Sequence, residues 1–74
     1  MNEKEQKLRQ RLVDLIEDAE QRLDGKYGAP TYYEISEIHR DCSYLVRKLG
    51  VHDDEIEARL WAIDEAADEI LEAE

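Results

Sequence analysis

Residues 53–74 read DDEIEARLWAIDEAADEILEAE and combine a helical core pattern with most of the net charge of the chain. The apolar residues of this segment recur every three or four positions, the spacing that places side chains along one side of a packed helix. They are Ile56, Leu60, Ile63, Ala67 and Ile70. The pattern predicts a helix over about residues 54–73, with one apolar seam and an anionic remainder.

Two earlier segments show the same spacing, and each predicts an amphipathic helix. The first helix is expected over about residues 3–24, with core positions at Leu8, Leu12, Leu15, Ala19 and Leu23. The second is expected over about residues 32–49, with core positions at Ile35, Ile38, Cys42, Leu45 and Leu49. No strand pattern or internal repeat separates these segments.

The residues between the helical segments are typical of helix ends. The loop GKYGAP, residues 25–30, is followed by Thr31 and Glu34, which have the spacing of a capping box. Gly50 is placed to end the second helix in a left-handed conformation, and Asp53 is a good N-cap for the third. Connections this short favour antiparallel neighbours, so we expect an all-α, up-down-up three-helix bundle in one domain, residues 1–74.

The length of the chain leaves its oligomeric state open. A chain of 74 residues is near the lower limit for independent folding, where only about 60% of the unfolded surface becomes buried. Small helical domains often gain stability from a second subunit. The same apolar seams could therefore be buried within one chain or completed in a homodimer.

Composition excludes several classes of protein. The single Cys42 rules out an internal disulfide, no signal-peptide pattern is present, and no run approaches the roughly 20 apolar residues of a membrane span. We expect a cytoplasmic protein. A net charge of −10 argues against direct binding to nucleic acid or to an anionic membrane, and favours a cationic partner or simply solubility.

No catalytic or metal-binding signature emerges from the reactive side chains. His39 and Cys42 share a helical face, but Cys42 occupies a core position where a thiol is inert. The residues three before His39 and His52 are not glutamates, as a di-iron bundle requires, and the run DDEIE lacks the central glycine of a calcium loop. We therefore expect neither an enzyme nor a bound metal or cofactor.

The charge of residues 53–74 is unusually one-sided. The segment contains ten acids and one base, Arg59. Acids stand four apart in the pairs Asp64/Asp68, Glu65/Glu69 and Asp68/Glu72, each of which costs about 0.2–0.5 kcal/mol. At 1.5 Å per residue, the net charges are spaced about 3.7 Å apart, similar to the phosphates of one DNA strand at about 3.4 Å. Unrelieved repulsion of this kind indicates that negative potential is needed here.

Trp61 lies one position past the core residue Leu60, among these acids. A large aromatic ringed by charges has the composition of a binding hot spot with a polar rim. The predicted partner-binding residues are Glu57, Trp61, Asp64, Glu65, Asp68, Glu69 and Glu72. In the alternative interpretation, Trp61 packs at the core edge against the first helix or Tyr27.

In size and charge the chain resembles the small acidic inhibitors by which phages and mobile elements block restriction, CRISPR or transcription proteins. The resemblance lies in size and charge and in no motif. It implies a DNA-mimic-like inhibitor or regulator that presents the third helix to a basic, nucleic-acid-binding protein. The alternative is a structural or adaptor module that self-associates or binds another helical protein, with a merely solvated acidic face.

Overall fold

The computed structural model describes residues 2–74 and contains three helices, α1 (Glu3–Leu23), α2 (Tyr32–Leu49) and α3 (Asp54–Ala73). Each helix packs against the other two, in an elongated body of about 42 × 20 × 18 Å. The predicted all-α three-helix bundle is confirmed. The helix bounds agree with the expected ones, except that α1 ends one residue earlier.

Side-chain caps define where each helix begins. The Oδ1 atom of Asn2 accepts a hydrogen bond from the backbone N–H of Glu5 at 2.8 Å, a cap that the periodicity of α1 does not reveal. Thr31 and Glu34 form the predicted capping box in both directions. At α3, Asp53 accepts from the backbone N–H groups of the second and third helical residues.

Glycines in the left-handed region follow α1 and α2, and the one after α2 was predicted from the sequence. Gly25 has a φ of 89° and Gly50 a φ of 62°. After α2, the N–H of Val51 donates to the carbonyl of Val46 at 3.2 Å, and the N–H of Gly50 donates to that of Arg47 at 3.4 Å. This is the hydrogen-bond pattern of a Schellman motif, which turns the chain sharply into α3.

The core is formed by the apolar seams of all three helices. Leu12, Ile16, Ala19, Ile35 and Cys42 have no exposed surface. The seam of α3 is buried at Ile56, Leu60, Ile63 and Ala67, and Val51 covers one end of the core. No polar or charged residue is buried within the described part of the chain, so the bundle depends on apolar burial.

Three ion pairs between elements show how the helices are oriented. Arg9 near the start of α1 meets Asp53 at the start of α3 at 3.5 Å, and Arg22 near the end of α1 meets Glu34 at 3.3 Å. The guanidinium Nε of Arg59 in α3 donates to Glu20 of α1 at 2.9 Å. Thus α1 and α3 point the same way and α2 runs against both. These side chains are partly exposed, so each pair contributes at most about 1 kcal/mol.

The dependence on apolar burial can be tested at Leu12, which has no exposed surface. Truncation by Leu12→Ala should lower the free energy of unfolding by about 2–5 kcal/mol, because the transfer energy is lost and a cavity remains. Leu71→Ala serves as the control, since that leucine is 49% exposed and should change stability by about 0.5 kcal/mol or less. Urea unfolding followed by circular dichroism at the helical band measures both. Equal effects of the two substitutions would contradict this core.

Candidate partner-binding face

The solvent side of α3 brings the predicted partner-binding residues together. All seven are exposed, and their positions lie opposite the buried seam of the same helix. We call this set the acidic face: Glu57, Trp61, Asp64, Glu65, Asp68, Glu69 and Glu72. From first to last it extends about 22 Å along the helix axis. The face therefore presents one aromatic ring and six carboxylates on a single continuous surface.

Trp61 is 65% exposed and takes no part in the core cluster. The alternative in which its ring packs at the core edge is therefore not seen. The reason lies in the rotation of α3. Arg59 reaches α1 from one side of the helix, and a residue two positions later lies about 200° further around. Trp61 consequently points away from α1, while Tyr27 instead lies under the guanidinium of Arg22, 4.9 Å from the ring centroid.

The one base of residues 53–74 does not neutralise the acidic face. Arg59 makes two hydrogen bonds to the carboxylate of Glu20, and this interaction raises the pKa of its guanidinium above an already high usual value. Within residues 2–74, no carboxylate of the acidic face takes part in an ion pair. No basic side chain of the described residues therefore pairs with the negative charges around Trp61.

The bundle also separates charge along its length, which the charge of residues 53–74 alone does not reveal. Residues 14–39 and 64–74 lie toward the end of the bundle that contains the end of α3, and they include 13 of the 20 acids but two of the ten bases. The remaining residues have eight bases and seven acids. In the sequence, this charge separation is indicated by the bases that precede the acids along α1, but it can be recognised only when the directions of the helices are known. Most of the acidic face therefore belongs to a larger anionic end.

Other exposed aromatic side chains lie away from the acidic face. Tyr33 and Tyr44 are on α2 and expose 71% and 61% of their surface. They are eleven residues apart, so they share one side of α2, about 16 Å from each other. Tyr32, in contrast, is partly buried against the core. The aromatic residues of α2 do not extend the surface around Trp61.

Cys42 lies on the buried side of α2, and burial, with the nearby charge of Asp41, raises the pKa of its thiol to about 11. A neutral thiol in an apolar environment is a poor nucleophile. Among residues 2–74, no group of three histidine, cysteine, aspartate or glutamate side chains is arranged to hold a metal ion.

Comparison with protein-family models, with curated proteins and with solved structures finds no significant match to this chain. None of the helices within residues 2–74 is long and apolar enough to cross a membrane.

The environment of Cys42 predicts low reactivity. At pH 8, a thiol with a pKa of about 11 is ionised about 100-fold less than one at the usual value of 9. Cys42 also has no exposed surface, so the reagent reaches it only when the bundle opens. Reaction with a disulfide reagent such as Ellman's reagent should therefore be at least about 100-fold slower in the native protein than in urea-unfolded protein. The absorbance of the released thiolate follows both rates. Rapid reaction of the native protein would show that Cys42 is accessible.

Proposed function

We propose that this protein is a small acidic inhibitor or regulator that uses the acidic face to bind a basic, nucleic-acid-binding protein. The observation that supports the proposal best is the exposure of Trp61 among six carboxylates that have no ion-pair partner in the described chain. The proposed role is binding rather than catalysis, and the proposed place of the encounter is the cytoplasm.

The electrostatics of α3 suit a site that normally accepts nucleic acid. Residues 53–74 span about 33 Å and contain ten acids and one base, so their net charges lie about 3.7 Å apart, close to the spacing of about 3.4 Å between phosphates along one DNA strand. When a basic groove binds this helix, the cations held near its carboxylates would be released, as cations are released from DNA phosphates. The protein would thereby occupy the groove in place of nucleic acid.

Trp61 supplies the apolar contact that charge alone lacks. Its neighbours Ala58 and Ala62 on α3 are exposed and small, so a partner surface can close around the ring. The surrounding carboxylates form a polar rim that can exclude water from the ring once it is bound. Buried tryptophans in such positions often contribute about 2 kcal/mol or more to binding.

The carboxylates of the acidic face also reduce the stability of α3. Like-charged neighbours occur at Asp64/Asp68, Glu65/Glu69 and Asp68/Glu72, and the last turn of the helix contains no base to favour its dipole. A surface that served only solubility would more often mix the two signs. The arrangement favours a role in which negative potential is the working property, as in phage-encoded or anti-CRISPR-like inhibitors.

The proposal predicts selective loss of the partner from a variant of the acidic face. Trp61→Ala/Asp64→Asn/Asp68→Asn and wild type would be used as baits in lysates of the source cells, or of their host, with quantitative mass spectrometry. The matched control is Tyr33→Ala/Asp24→Asn/Glu37→Gln, which removes one exposed aromatic ring and two charges elsewhere. We expect wild type and control to retain a basic protein that the first variant loses by about 100-fold or more.

Binding measurements with the captured protein then test whether this protein competes with nucleic acid. Double-stranded nucleic acid should compete with wild type for that protein, and the complex should weaken steeply as salt rises, because exposed charges are screened. Circular dichroism must show unchanged helicity in both variants. Equal retention by all three baits, or a partner that binds nucleic acid and this protein together, would contradict the proposal.

A second prediction is that one substitution in the acidic face raises the stability of the protein and weakens partner binding. Glu72→Lys should raise the free energy of unfolding by about 0.5–1 kcal/mol, because it pairs with Asp68 and places a positive charge near the end of α3. The same substitution should weaken partner binding. Urea unfolding and titration with the captured partner measure the two effects. Glu3→Lys is the control for net charge, and it should leave binding nearly unchanged. A loss of stability in Glu72→Lys would contradict the repulsion described for α3.

A further inference from the structure

A second charged surface lies on α1, on the side turned away from α3. Lys7, Arg11, Asp14 and Asp18 are spaced by four, three and four residues, which places them on one face of the helix. We call these four residues the charge stripe. With Gln10 and Leu15 they line an open depression of about 420 Å³. Arg9, two residues before Arg11, bonds to α3, so the charge stripe faces nearly the opposite way.

Apolar side chains flank the charge stripe. Leu8 and Leu15 on α1 are partly exposed, and Tyr44 on α2 is 61% exposed. Leu8, Tyr44 and Lys48 help to line a groove of about 280 Å³ between α1 and α2, and Arg11 borders both this groove and the depression on α1. The surface therefore offers apolar contact beside ordered charges.

The order of charges along the stripe is self-complementary when the helix is reversed. The two bases come first and the two acids follow. The point between Leu12 and Val13 is midway between Arg11 and Asp14, and it is also midway between Lys7 and Asp18. A two-fold axis through this point would place each base of one α1 opposite an acid of the other. We propose that the charge stripe is the interface of an antiparallel homodimer.

The charges needed for this pairing are available in the single chain. Within residues 2–74, Lys7 and Arg11 make no ion pair. Asp14 accepts a hydrogen bond only from Gln10, at 2.9 Å, in the same part of the chain. Asp18 is bonded to Arg22 at 3.1 Å, but Arg22 also contacts Glu34 and keeps that partner if Asp18 is shared. Dimerisation therefore breaks no contact that α1 and α2 require.

A second copy fits the charge stripe better than a partner of uniform charge. An acidic helix would complement the two bases but repel the two acids, and a basic helix would do the reverse. A reversed copy of α1 satisfies all four residues at once, with two equivalent sets of contacts, as a two-fold interface requires. The inference does not depend on the proposed function, because the acidic face lies on a different helix and remains exposed.

Complementary charge variants test the interface. Lys7→Glu/Arg11→Glu makes the stripe wholly acidic, and Asp14→Lys/Asp18→Lys makes it wholly basic. Sedimentation equilibrium should show wild type as a dimer and each variant alone as a monomer, with the dissociation constant raised about tenfold or more. An equimolar mixture of the two variants should regain the dimer, because each stripe now complements the other. Circular dichroism verifies that both variants remain helical.

The control is Arg40→Glu/Arg47→Glu, which changes the net charge as much as Lys7→Glu/Arg11→Glu does. Both positions are exposed on α2 and lie outside the groove and the depression. This variant should dimerise like wild type. The proposal is overturned if wild type is monomeric up to about 100 µM, if either single-sign variant dimerises as wild type does, or if the mixture stays monomeric.

The direction of pairing has its own measurement. A spin label at Lys4→Cys should react selectively, because Cys42 is buried. Antiparallel pairing about the proposed axis separates the two labelled positions by about 25 Å along the helices, whereas parallel pairing would bring them to about 10 Å. Pulsed electron paramagnetic resonance distinguishes these distances, and the shorter one would overturn the antiparallel arrangement.

Discussion

The burial of one seam of α3 fixes the rotation of that helix, and the functional surfaces depend on this rotation. Because Leu60, Ile63 and Ala67 face α1 and α2, the positions between them must face solvent. Arg59 then falls on the side next to α1, where Glu20 takes up its charge. Trp61, further around the helix, is left among carboxylates. A single packing constraint thus turns the aromatic ring toward solvent and Arg59 toward α1.

The core that imposes this constraint is small. A domain of 74 residues has a free energy of unfolding of roughly 5 kcal/mol, at the low end of the range for globular proteins. Like-charged pairs on α3 each remove a few tenths of a kcal/mol, so together they consume a measurable part of that margin. The caps at Asn2, Thr31 and Asp53 recover a similar amount at the helix starts. Hydrogen bonds at the helix starts therefore offset a repulsion that lies in the C-terminal half of α3.

Most of the fold was predictable because the sequence marks both the seams and the helix ends. Threonine with glutamate three residues later, glycine after the last apolar residue, and aspartate before the third helix each correspond to a specific hydrogen-bond pattern, and each was found. The exposure of Trp61 could not be decided in the same way. Periodicity gives the angle of a residue from its own seam, but it does not show on which side the neighbouring helix lies.

The other unpredicted features arise between helices. The groove beside Tyr44 needs α1 and α2 side by side, and the anionic end needs the directions of all three helices. Neither is encoded in a single segment. The charge stripe was visible as a run of bases followed by acids along α1, but its meaning depends on knowing that this side of α1 faces away from α3. Sequence reasoning therefore located the acidic face and missed the surface opposite it.

The separation of charge along the 42 Å axis gives the molecule a large permanent electric dipole moment. In the field of a basic surface, such a dipole experiences a torque that turns the anionic end forward before contact, so encounters become oriented as well as attractive. Two copies paired antiparallel would oppose their dipoles and cancel them. The electric field of a basic partner would then orient the monomer before contact, whereas it would act on the dimer through its net charge alone.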